Sequence, residues 1–261
     1  MGQALLNGWL DRGVDPSTLS VIEPEVAIRD RVAARHPDIR ALESAAALDP
    51  DVQPGVVVLA VKPQVMDPVV GSYRRLVRPE SVFLSIAAGR TIASFQRLLG
   101  EAARVVRAMP NTPAAVHRGI TVACAGPGVS SEQRRACTRL LEAVGSVVWT
   151  DDESLMDAVT AVSGSGPAYV FLLAETLAEA GVAAGLPAEL AARLARETVT
   201  GAAALLAAEG ASPAALRRGV MSPGGTTEAA LRVLMAEPDG LAALMREAVD
   251  AAKERSRALA S

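Results

Sequence analysis

Two patterns of hydrophobic residues divide the chain near residue 150. Before that point, short runs of consecutive apolar residues alternate with stretches of helical spacing. The runs Val56–Val61 and Ser81–Ile86 are typical of strands buried on both faces of a parallel sheet. After it we find no convincing strand pattern, because long segments rich in alanine and leucine have helical spacing. The patterns predict a doubly wound α/β domain over 1–150 and a separate all-helical domain over 151–261.

The remaining elements follow from spacing and capping residues. Met1–Leu10 is predicted to be a helix that leads into a strand at Leu19–Glu23, and Ser130 with Gln133 forms the capping-box pattern of a helix that runs to about Val144. Other helices of the first domain are predicted at 64–77 and 91–99, with shorter strands at 104–108, 120–124 and 146–149. Helices of the second domain are predicted at 152–162, 167–184, 187–209, 212–219, 226–236 and 239–259.

Composition limits the possible partners. The formal net charge of −3 gives no general attraction for a phosphate backbone, and two tryptophans, two tyrosines and three phenylalanines offer few rings for stacking on bases. Nucleic acid is therefore not expected as a partner.

The sequence shows no sign of a membrane span or a secretory signal. It contains no run of about eighteen uninterrupted apolar residues, and its first residues lack the basic and apolar regions of a secretory signal. We expect a cytoplasmic enzyme.

Cysteine and histidine are too sparse for metal or thiol chemistry. Cys124 and Cys137 lie in different predicted elements without the spacing of a metal site, and His36 and His117 are isolated. We expect the two thiols to be buried and inert, with neither a metal centre nor a Cys–His nucleophile.

Several conspicuous residues come directly after predicted strands. Lys62, Ala87–Gly89 and the loop Met109–Pro113 each follow one. In a doubly wound sheet a ligand binds at the carboxyl ends of the strands. These positions are therefore predicted to line a ligand site, where Lys62 could meet phosphate or ribose, although it could also be a solvated surface lysine.

The segment Met221–Leu231 predicts a glycine turn that opens a helix. Pro223 cannot continue a preceding helix, and the two glycines after it permit backbone conformations closed to other residues. Thr226 or Thr227 can cap the helix that follows. Such a turn presents N–H groups at the positive end of the helix, where a small anion such as a substrate carboxylate binds. Taken alone, the same residues also fit an ordinary turn between helices with a threonine cap.

The first residues match the second half of a dinucleotide-binding βαβ unit. In such a unit a helix leads from a glycine-rich turn into a strand that ends in an acid, and here a helix leads into a strand that ends at Glu23. Only Gly2 could be the last of the glycines, so a simple surface helix is the alternative.

Four segments follow one another in a fixed order: Ala60–Gln64, Arg107–Ala114, Ala161–Tyr169 and Met221–Leu231. Together they closely resemble the pyrroline-5-carboxylate reductase family, whose members complete L-proline biosynthesis. The resemblance covers essentially the whole chain, and the last segment is the most specific of the four.

The resemblance implies a Rossmann-like domain that holds NADPH or NADH, followed by a helical domain that interlocks with its partner in a homodimer. Such dimers would assemble further into a ring of dimers, and part of each active site would come from the partner subunit. The predicted cofactor-binding residues are Met1, Gly2, Glu23, Ala60, Val61, Lys62, Pro63, Ile86, Ala87, Ala88 and Asn111.

The resemblance also assigns the substrate side of the site. Thr227 would make the catalytic hydrogen bond to the ring nitrogen, and Glu153 matches a further substrate-site position. Backbone groups of Ser222, Gly224 and Gly225 would hold the substrate carboxylate.

Reduction of a cyclic C=N bond places hydride on the imine carbon, which is more electrophilic once the nitrogen is protonated. A substrate that enters as the iminium needs no strong general acid, so the expected role of the protein is to hold the reactants in position.

Two opposing signals bear on the choice of coenzyme. Glu23, at the end of a second strand, is expected to pair with a ribose diol, which favours NADH. The family more often uses NADPH, and Arg29 or Arg31 could compensate for the acid. We expect NADPH, with NADH as the alternative coenzyme.

The chain departs from the family pattern at its start. Family members begin with a strand and a Gly-x-Gly-Asn-Met-Gly type of turn, of which only Met1 and Gly2 correspond here. That strand is central in the sheet, and its absence would leave ladder groups unpaired. We therefore expect the natural protein to carry roughly ten more residues before Met1, enough for one strand and its turn.

Two other functions stay open. A related NAD(P)-dependent reductase could act on another imine or on a β-hydroxyacid, but the hydroxyacid enzymes need a lysine in the helical domain and residues 151–240 contain none. A non-catalytic cofactor-binding assembly protein is the second alternative, favoured only if Met1 is the natural start.

Overall fold

The computed structural model describes residues 1–61, 65–208 and 210–260. Contacts divide the chain into two compact units, one formed by Met1–Gly164 with Lys253–Ser261 and the other by Ser165–Ala252. The predicted domain boundary after residue 150 stays a prediction, because a division by contacts need not coincide with a division by function.

The described residues form seven strands and eleven α-helices. The strands are β1 Ser20–Ile22, β2 Arg40–Leu42, β3 Val56–Leu59, β4 Val82–Ser85, β5 Val105–Met109, β6 Gly119–Ala125 and β7 Gly145–Thr150. The helices are α1 Gly2–Asp11, α2 Val26–Arg35, α3 Met66–Gly71, α4 Ile92–Leu99, α5 Ser131–Glu142, α6 Met156–Val159, α7 Gly166–Ala183, α8 Ala188–Ala207, α9 Pro213–Gly219, α10 Thr226–Leu234 and α11 Leu241–Ala260.

Within the described part of the chain, the strands form a parallel pair, β1–β2, and a five-stranded sheet in the order β3-β4-β5-β6-β7. All neighbours in the larger sheet are parallel except β5 and β6. The helices α3 and α4 provide the crossovers from β3 to β4 and from β4 to β5, which a parallel pair requires. Between β5 and β6 there is only a short 3-10 turn, Thr112–Val116, so the chain reverses direction.

Helices cover both faces of the larger sheet. Successive side chains of β4 point to opposite faces: Phe83 packs in one hydrophobic cluster, while Val82 and Leu84 pack in the other. Helix α4 contributes Phe95 to the first cluster and α5 contributes Leu141 to the second. Each large side chain that is fully buried in this way contributes about 1.5–3 kcal/mol. The predicted α/β architecture is confirmed.

The predicted capping box at the start of α5 is present. Ser130 Oγ accepts a hydrogen bond from the backbone N–H of Gln133 at 3.2 Å, and Gln133 Oε1 accepts one from the N–H of Ser130 at 2.9 Å. Gln133 Nε2 also donates to the carbonyl of Ser81 at 3.2 Å. The same side chain therefore fixes the start of α5 against the beginning of β4.

Two predicted helices are shorter than expected. The helix predicted at 64–77 is confined to Met66–Gly71 and is followed by a 3-10 turn at Arg74–Leu76, while residue 64 lies outside the described residues. The helix predicted at 152–162 is divided into a 3-10 turn, α6 and a wider π-helical turn at Thr160–Gly164. The wider turn brings Met156 and Ala161, five positions apart and both fully buried, toward the same side.

The last residues of α11 belong to the first unit. Ser256 is buried, and its hydroxyl donates to Asp157 Oδ1 at 2.7 Å. Gly89 has a φ of +71° and lies against Leu259: a Cβ at this glycine would be 3.3 Å from the Leu259 carbonyl. The turn after β4 therefore requires glycine at this position, both for its backbone conformation and for its close contact with α11.

The second unit is helical, and many of its side chains are small because its helices are rich in alanine. Its α7 and α8 pack closely: a Cβ at Gly181 would be 3.1 Å from that of Ala191. Pro187 is the N-cap of α8, one residue before the helix begins, and Gly210 follows the end of the helix with a φ of +101°. None of the helices described is both long enough and apolar enough to cross a membrane.

We expect Gly89→Ala to lower the free energy of unfolding by about 1–3 kcal/mol, because alanine is strained at this φ and meets the α11 backbone. Urea unfolding followed by circular dichroism measures the change. Gly55→Ala is the matched control, since Gly55 is exposed and no described atom lies within 4 Å of its added Cβ. A change of about 0.5 kcal/mol or less is expected there. Equal effects of both substitutions would contradict this account of Gly89.

Candidate active site

Two of the predicted cofactor segments lie side by side at the carboxyl edge of the sheet. Ala60 and Val61 follow β3, and Ile86–Ala88 follow β4, its parallel neighbour. The backbone N–H of Ile86 donates to the carbonyl of Leu59 at 3.2 Å, which continues the ladder into the second segment. Lys62 and Pro63, also predicted to contact the cofactor, lie outside the described residues.

The N-terminus of α1 lies at the same edge. A Cβ at Gly2 would be 3.2 Å from the Cβ of Ala60, so the first turn of the helix reaches the residue that follows β3. No acidic residue occupies this turn, and Met1 makes no capping bond through its side chain. An uncapped helix N-terminus carries partial positive charge, and this close approach leaves little room for any residue larger than glycine.

Glu23 and Arg29 lie together after β1. The Glu23 carboxylate accepts a hydrogen bond from the N–H of Glu25 at 2.9 Å, and Arg29 Nη1 donates to the backbone carbonyl of Glu23 at 3.0 Å. Arg31 instead donates from Nε to the carbonyl of Ala27, within its own helix, at 3.1 Å. Of the two arginines proposed from the sequence, Arg29 is therefore the one whose guanidinium adjoins Glu23.

Asn111 follows β5 and bonds to the next strand. Its Oδ1 accepts a hydrogen bond from the N–H of Ile120 at 3.0 Å, so the sheet fixes the orientation of the amide. This bond spans the turn that reverses the chain between β5 and β6. The residue lies at a strand end, as the sequence predicted.

The carboxylate of Glu153 bonds to two other parts of the first unit. Its Oε1 accepts hydrogen bonds from the N–H of Ile92, the first residue of α4, at 2.8 Å and from Arg107 Nη1 at 3.0 Å. Arg107 lies on β5 and is only 4% exposed. Sequence reasoning did not single out Arg107, although a lone charge inside the apolar run Val105–Met109 signals a buried partner.

The glycine turn of the second unit is present, but its cap differs from the prediction. Gly224 has a φ of +71°, and Gly225 occupies the extended N-cap position before α10, with φ −81° and ψ 168°. Both threonines already lie inside the helix, so the prediction that Thr226 or Thr227 caps it is wrong. An N-cap side chain must come from the extended residue, and here that residue is a glycine.

A carboxylate from α10 itself occupies part of this turn. Glu228 Oε2 accepts a hydrogen bond from the N–H of Gly224 at 2.6 Å, and the N–H of Gly225 donates to the carbonyl of Ser222 at 2.9 Å. A Cβ at Gly225 would also collide with the Ser222 side chain. The turn is thus compact, and it binds an anion in this structure, although the anion belongs to the chain.

Thr227 is half-buried in the first turn of α10. Its hydroxyl makes no hydrogen bond to any described residue, so it is available to a ligand. The first backbone N–H groups of the helix likewise have no intrahelical acceptor.

The geometry offers neither a reactive thiol nor a group of metal ligands within the described residues. Burial raises the pKa of the Cys137 thiol to about 12. Burial also raises the pKa of Cys124, and the nearby Glu153 carboxylate adds to that rise. Both thiols are therefore protonated at neutral pH. In the part of the chain that is described, no three His, Cys, Asp or Glu side chains are grouped to hold a metal ion.

Comparison with known proteins identifies the family. A family profile described as pyrroline-5-carboxylate reductase dimerisation matches residues 153–259. A pyrroline-5-carboxylate reductase of Pseudomonas aeruginosa is 42% identical over 260 residues, which cover 100% of this chain and 93% of the relative. The chain belongs to the pyrroline-5-carboxylate reductase family. The predicted family and enzyme class are thereby confirmed.

Solved reductases have the same fold. A pyrroline-5-carboxylate reductase from Coxiella burnetii superposes with a TM-score of 0.91 at 34% identity, covering 100% of this chain and 95% of that one. The reductase of Plasmodium falciparum, whose crystal structure is described with NADP bound, superposes with a TM-score of 0.83 at 28% identity over 100% of this chain and 95% of that one. The predicted fold class is confirmed, whereas the roles of individual site residues stay predictions.

Proposed function

We propose that this protein reduces 1-pyrroline-5-carboxylate to L-proline with hydride from NAD(P)H, as the last step of proline biosynthesis. The observation that carries the proposal is the 42% identity to a pyrroline-5-carboxylate reductase over the whole chain. Of the four segments that suggested the family, Arg107–Ala114 runs past the end of β5, Ala161–Tyr169 leads into α7, and Met221–Leu231 contains the glycine turn that opens α10. A cytoplasmic location remains part of the proposal.

The first unit provides a fitting place for the coenzyme. The uncapped N-terminus of α1 is suited to a diphosphate, because partial positive charge and free N–H groups favour bound phosphate. The proposed contacts are those predicted from the sequence: Met1, Gly2, Glu23, Ala60, Val61, Lys62, Pro63, Ile86, Ala87, Ala88 and Asn111. When bound, the coenzyme supplies the hydride.

The second unit provides the proposed substrate contacts. We assign the Thr227 hydroxyl, which bonds to none of the described residues, to the ring nitrogen of the substrate, whose protonated form makes the imine carbon electrophilic. The substrate carboxylate is assigned to backbone groups of Ser222, Gly224 and Gly225. Because the bond between Gly224 and Glu228 is exposed, an incoming carboxylate can replace the Glu228 side chain there. No strong general acid is then needed. The two buried thiols, which stay protonated at neutral pH, are given no role in the proposed reaction.

NADPH is the proposed coenzyme, with NADH as the alternative. A relative from Plasmodium falciparum is described with NADP bound, and Arg29, whose guanidinium adjoins Glu23, is the proposed partner of the 2′-phosphate. The Glu23 carboxylate opposes this choice by charge. That carboxylate accepts the N–H of Glu25, whereas the Arg29 guanidinium is bonded to the neutral backbone carbonyls of Glu23 and Pro24, so its charge is offered to a phosphate.

A homodimer is the proposed assembly, and a ring of dimers its further association. The matched family profile describes dimerisation, and it covers the helical unit. None of the residues of α7, all of which are described, is buried within the chain, and Phe171 is 68% exposed. Helix α8 buries only two alanines among its described residues, Ala191 and Ala195. An apolar helical surface of this kind needs a partner, and a second copy supplies the matching face.

The decisive experiment is a coenzyme-oxidation assay. Purified protein is mixed with NADPH and 1-pyrroline-5-carboxylate, the loss of absorbance at the reduced nicotinamide is followed, and L-proline is identified as the product. A β-hydroxyacid or a different cyclic imine as the only active substrate would support a related reductase instead. Coenzyme binding without turnover of any of these would support the non-catalytic alternative and refute the proposed reaction.

We expect Thr227→Ala to lower kcat about ten- to a hundredfold while leaving the Kd for NADPH nearly unchanged, because the hydroxyl is assigned to the substrate alone. Thr227→Ser, which keeps a hydroxyl, should retain most of the activity. The matched control is Thr226→Ala, which removes the preceding threonine of the same helical turn and should have little effect. Equal loss of turnover and coenzyme affinity in Thr227→Ala would show that this assignment is wrong.

We expect Arg29→Ala to weaken NADPH binding about tenfold and to leave NADH binding almost unchanged, because only NADPH carries the 2′-phosphate that the guanidinium would meet. Fluorescence titration with each coenzyme measures the two constants. Arg31→Ala removes an arginine of the same helix that bonds within α2, so it should change neither. Equal weakening of both coenzymes by Arg29→Ala would contradict a role in selecting the phosphate.

Sedimentation or light scattering tests the assembly. We expect a mass of at least two chains, and Phe171→Asp to shift the population toward monomer, because a charge would then lie within an apolar interface. Glu175→Gln, on the same helix, is the control that leaves the apolar surface intact. A monomeric wild-type protein would refute the proposed dimer.

A further inference from the structure

The carboxylate of Glu153 holds the beginning of α4. Thr91 is the N-cap of this helix, and its hydroxyl oxygen accepts a hydrogen bond from the N–H of Ser94 at 3.2 Å. Glu153 Oε1 accepts a second one from the N–H of Ile92, at 2.8 Å. Two of the N–H groups that a helix leaves unpaired at its start are thus satisfied, one of them by a residue distant in sequence. A negative charge at this end of a helix is also favoured by the helix dipole.

Arg107, on β5, binds the same carboxylate. Its guanidinium lies 3.0 Å from Glu153 Oε1, and the residue is nearly inaccessible to solvent. A buried guanidinium without a partner is strongly destabilising. Movement of the Glu153 side chain away from Arg107 would therefore lower the stability of the fold. The Glu153 side chain is 30% exposed, which places the pair at the rim of the buried region.

The two bonds matter because of what precedes α4. The turn from Ile86 to Thr91 connects β4 to this helix, and its first residues are the proposed cofactor contacts Ala87 and Ala88. At its beginning the turn is fixed by the bond from Ile86 to Leu59, and by Ser85 Oγ, which accepts from the N–H of Ala87 at 3.2 Å. At its end the bond from Ile92 to Glu153 fixes it. Loss of that bond would remove one support of the far end of the turn, where the Arg90–Asp67 ion pair and the packing of Gly89 on α11 are further supports.

We propose that Glu153 is a positioning residue for the cofactor-binding turn, held in place by Arg107, rather than a ligand of the substrate. This inference rests on the proposed function, since it concerns the same coenzyme site. It differs from the assignment made by resemblance, in which Glu153 belongs to the substrate site. Oε1 of Glu153 already accepts two hydrogen bonds, both from groups of the first unit, so the orientation of the carboxylate is set there.

The test separates coenzyme binding from substrate binding. Fluorescence titration measures the Kd for NADPH without turnover, and steady-state kinetics at saturating NADPH measure the KM for 1-pyrroline-5-carboxylate. We expect Glu153→Ala to raise the Kd for NADPH about ten- to a hundredfold and to change the substrate KM by less than about twofold. Glu153→Gln keeps an acceptor oxygen for the N–H of Ile92 but removes the charge, so its Kd should lie between those of Glu153→Ala and the wild type.

The matched control is Glu101→Ala, an exposed glutamate in the loop that follows α4. It removes the same charge close to the other end of the helix, and both constants should stay at their wild-type values. A substrate KM that rises in Glu153→Ala overturns the proposal, and so does an unchanged Kd for NADPH.

A second variant covers the case in which Glu153→Ala fails to fold. The double variant Arg107→Met with Glu153→Gln removes both charges, so no unpaired guanidinium is left in the interior. It should fold, and it should bind NADPH more weakly than the wild type because the acceptor at Ile92 has lost its charge and its anchor. NADPH binding of wild-type strength in the folded double variant overturns the proposal. Failure of the proposed function is a separate result: the wild-type protein itself would then not oxidise NADPH in the presence of the substrate.

Discussion

The burial of β4 on both faces is the constraint on which the first unit depends. The residues from Val82 to Ser85 are all fully buried, so neither face of this strand can be left to solvent. Covering both faces requires helices on both sides, and the crossovers through them make the neighbouring strands parallel. Parallel strands end at one edge, which brings Ala60 next to the Ile86–Ala88 turn. The ligand edge of the sheet is thus a consequence of how its centre is buried.

The same constraint explains what the sequence could predict. Continuous apolar runs such as Val56–Val61 indicate strands buried on both faces, and Ala87–Gly89 were correctly placed just after the end of β4. The pair α2 and β2 was missed because its signal is weak: no residue of α2, all of which are described, is buried, and β2 has only three residues. An element that rests on the edge of a core carries little hydrophobic periodicity.

Other features lie beyond any local pattern. Arg107 and Glu153 are 46 positions apart, and no spacing rule joins them, although the isolated charge in a buried strand shows that a partner must exist. At the glycine turn, composition predicted the turn and the helix but not the residue that occupies the extended cap position. Glycine and threonine are both acceptable there, and the choice follows from the tertiary path of the chain.

Burial separates two uses of the same interaction in this protein. Glu153 at the start of α4 and Glu228 at the start of α10 each place a carboxylate on backbone N–H groups at a helix N-terminus. Such an interaction is worth about 0.3–1 kcal/mol at an exposed site and up to about 2 kcal/mol where it is partly buried. The partly buried Glu153 also pairs with a buried guanidinium, so moving its carboxylate away from the helix would break that ion pair as well. Among the described residues Glu228 is held by one exposed bond, and we propose that a substrate carboxylate takes its place. In this proposal a single kind of bond serves as a permanent support at the proposed coenzyme turn and as an exchangeable bond at the proposed substrate turn.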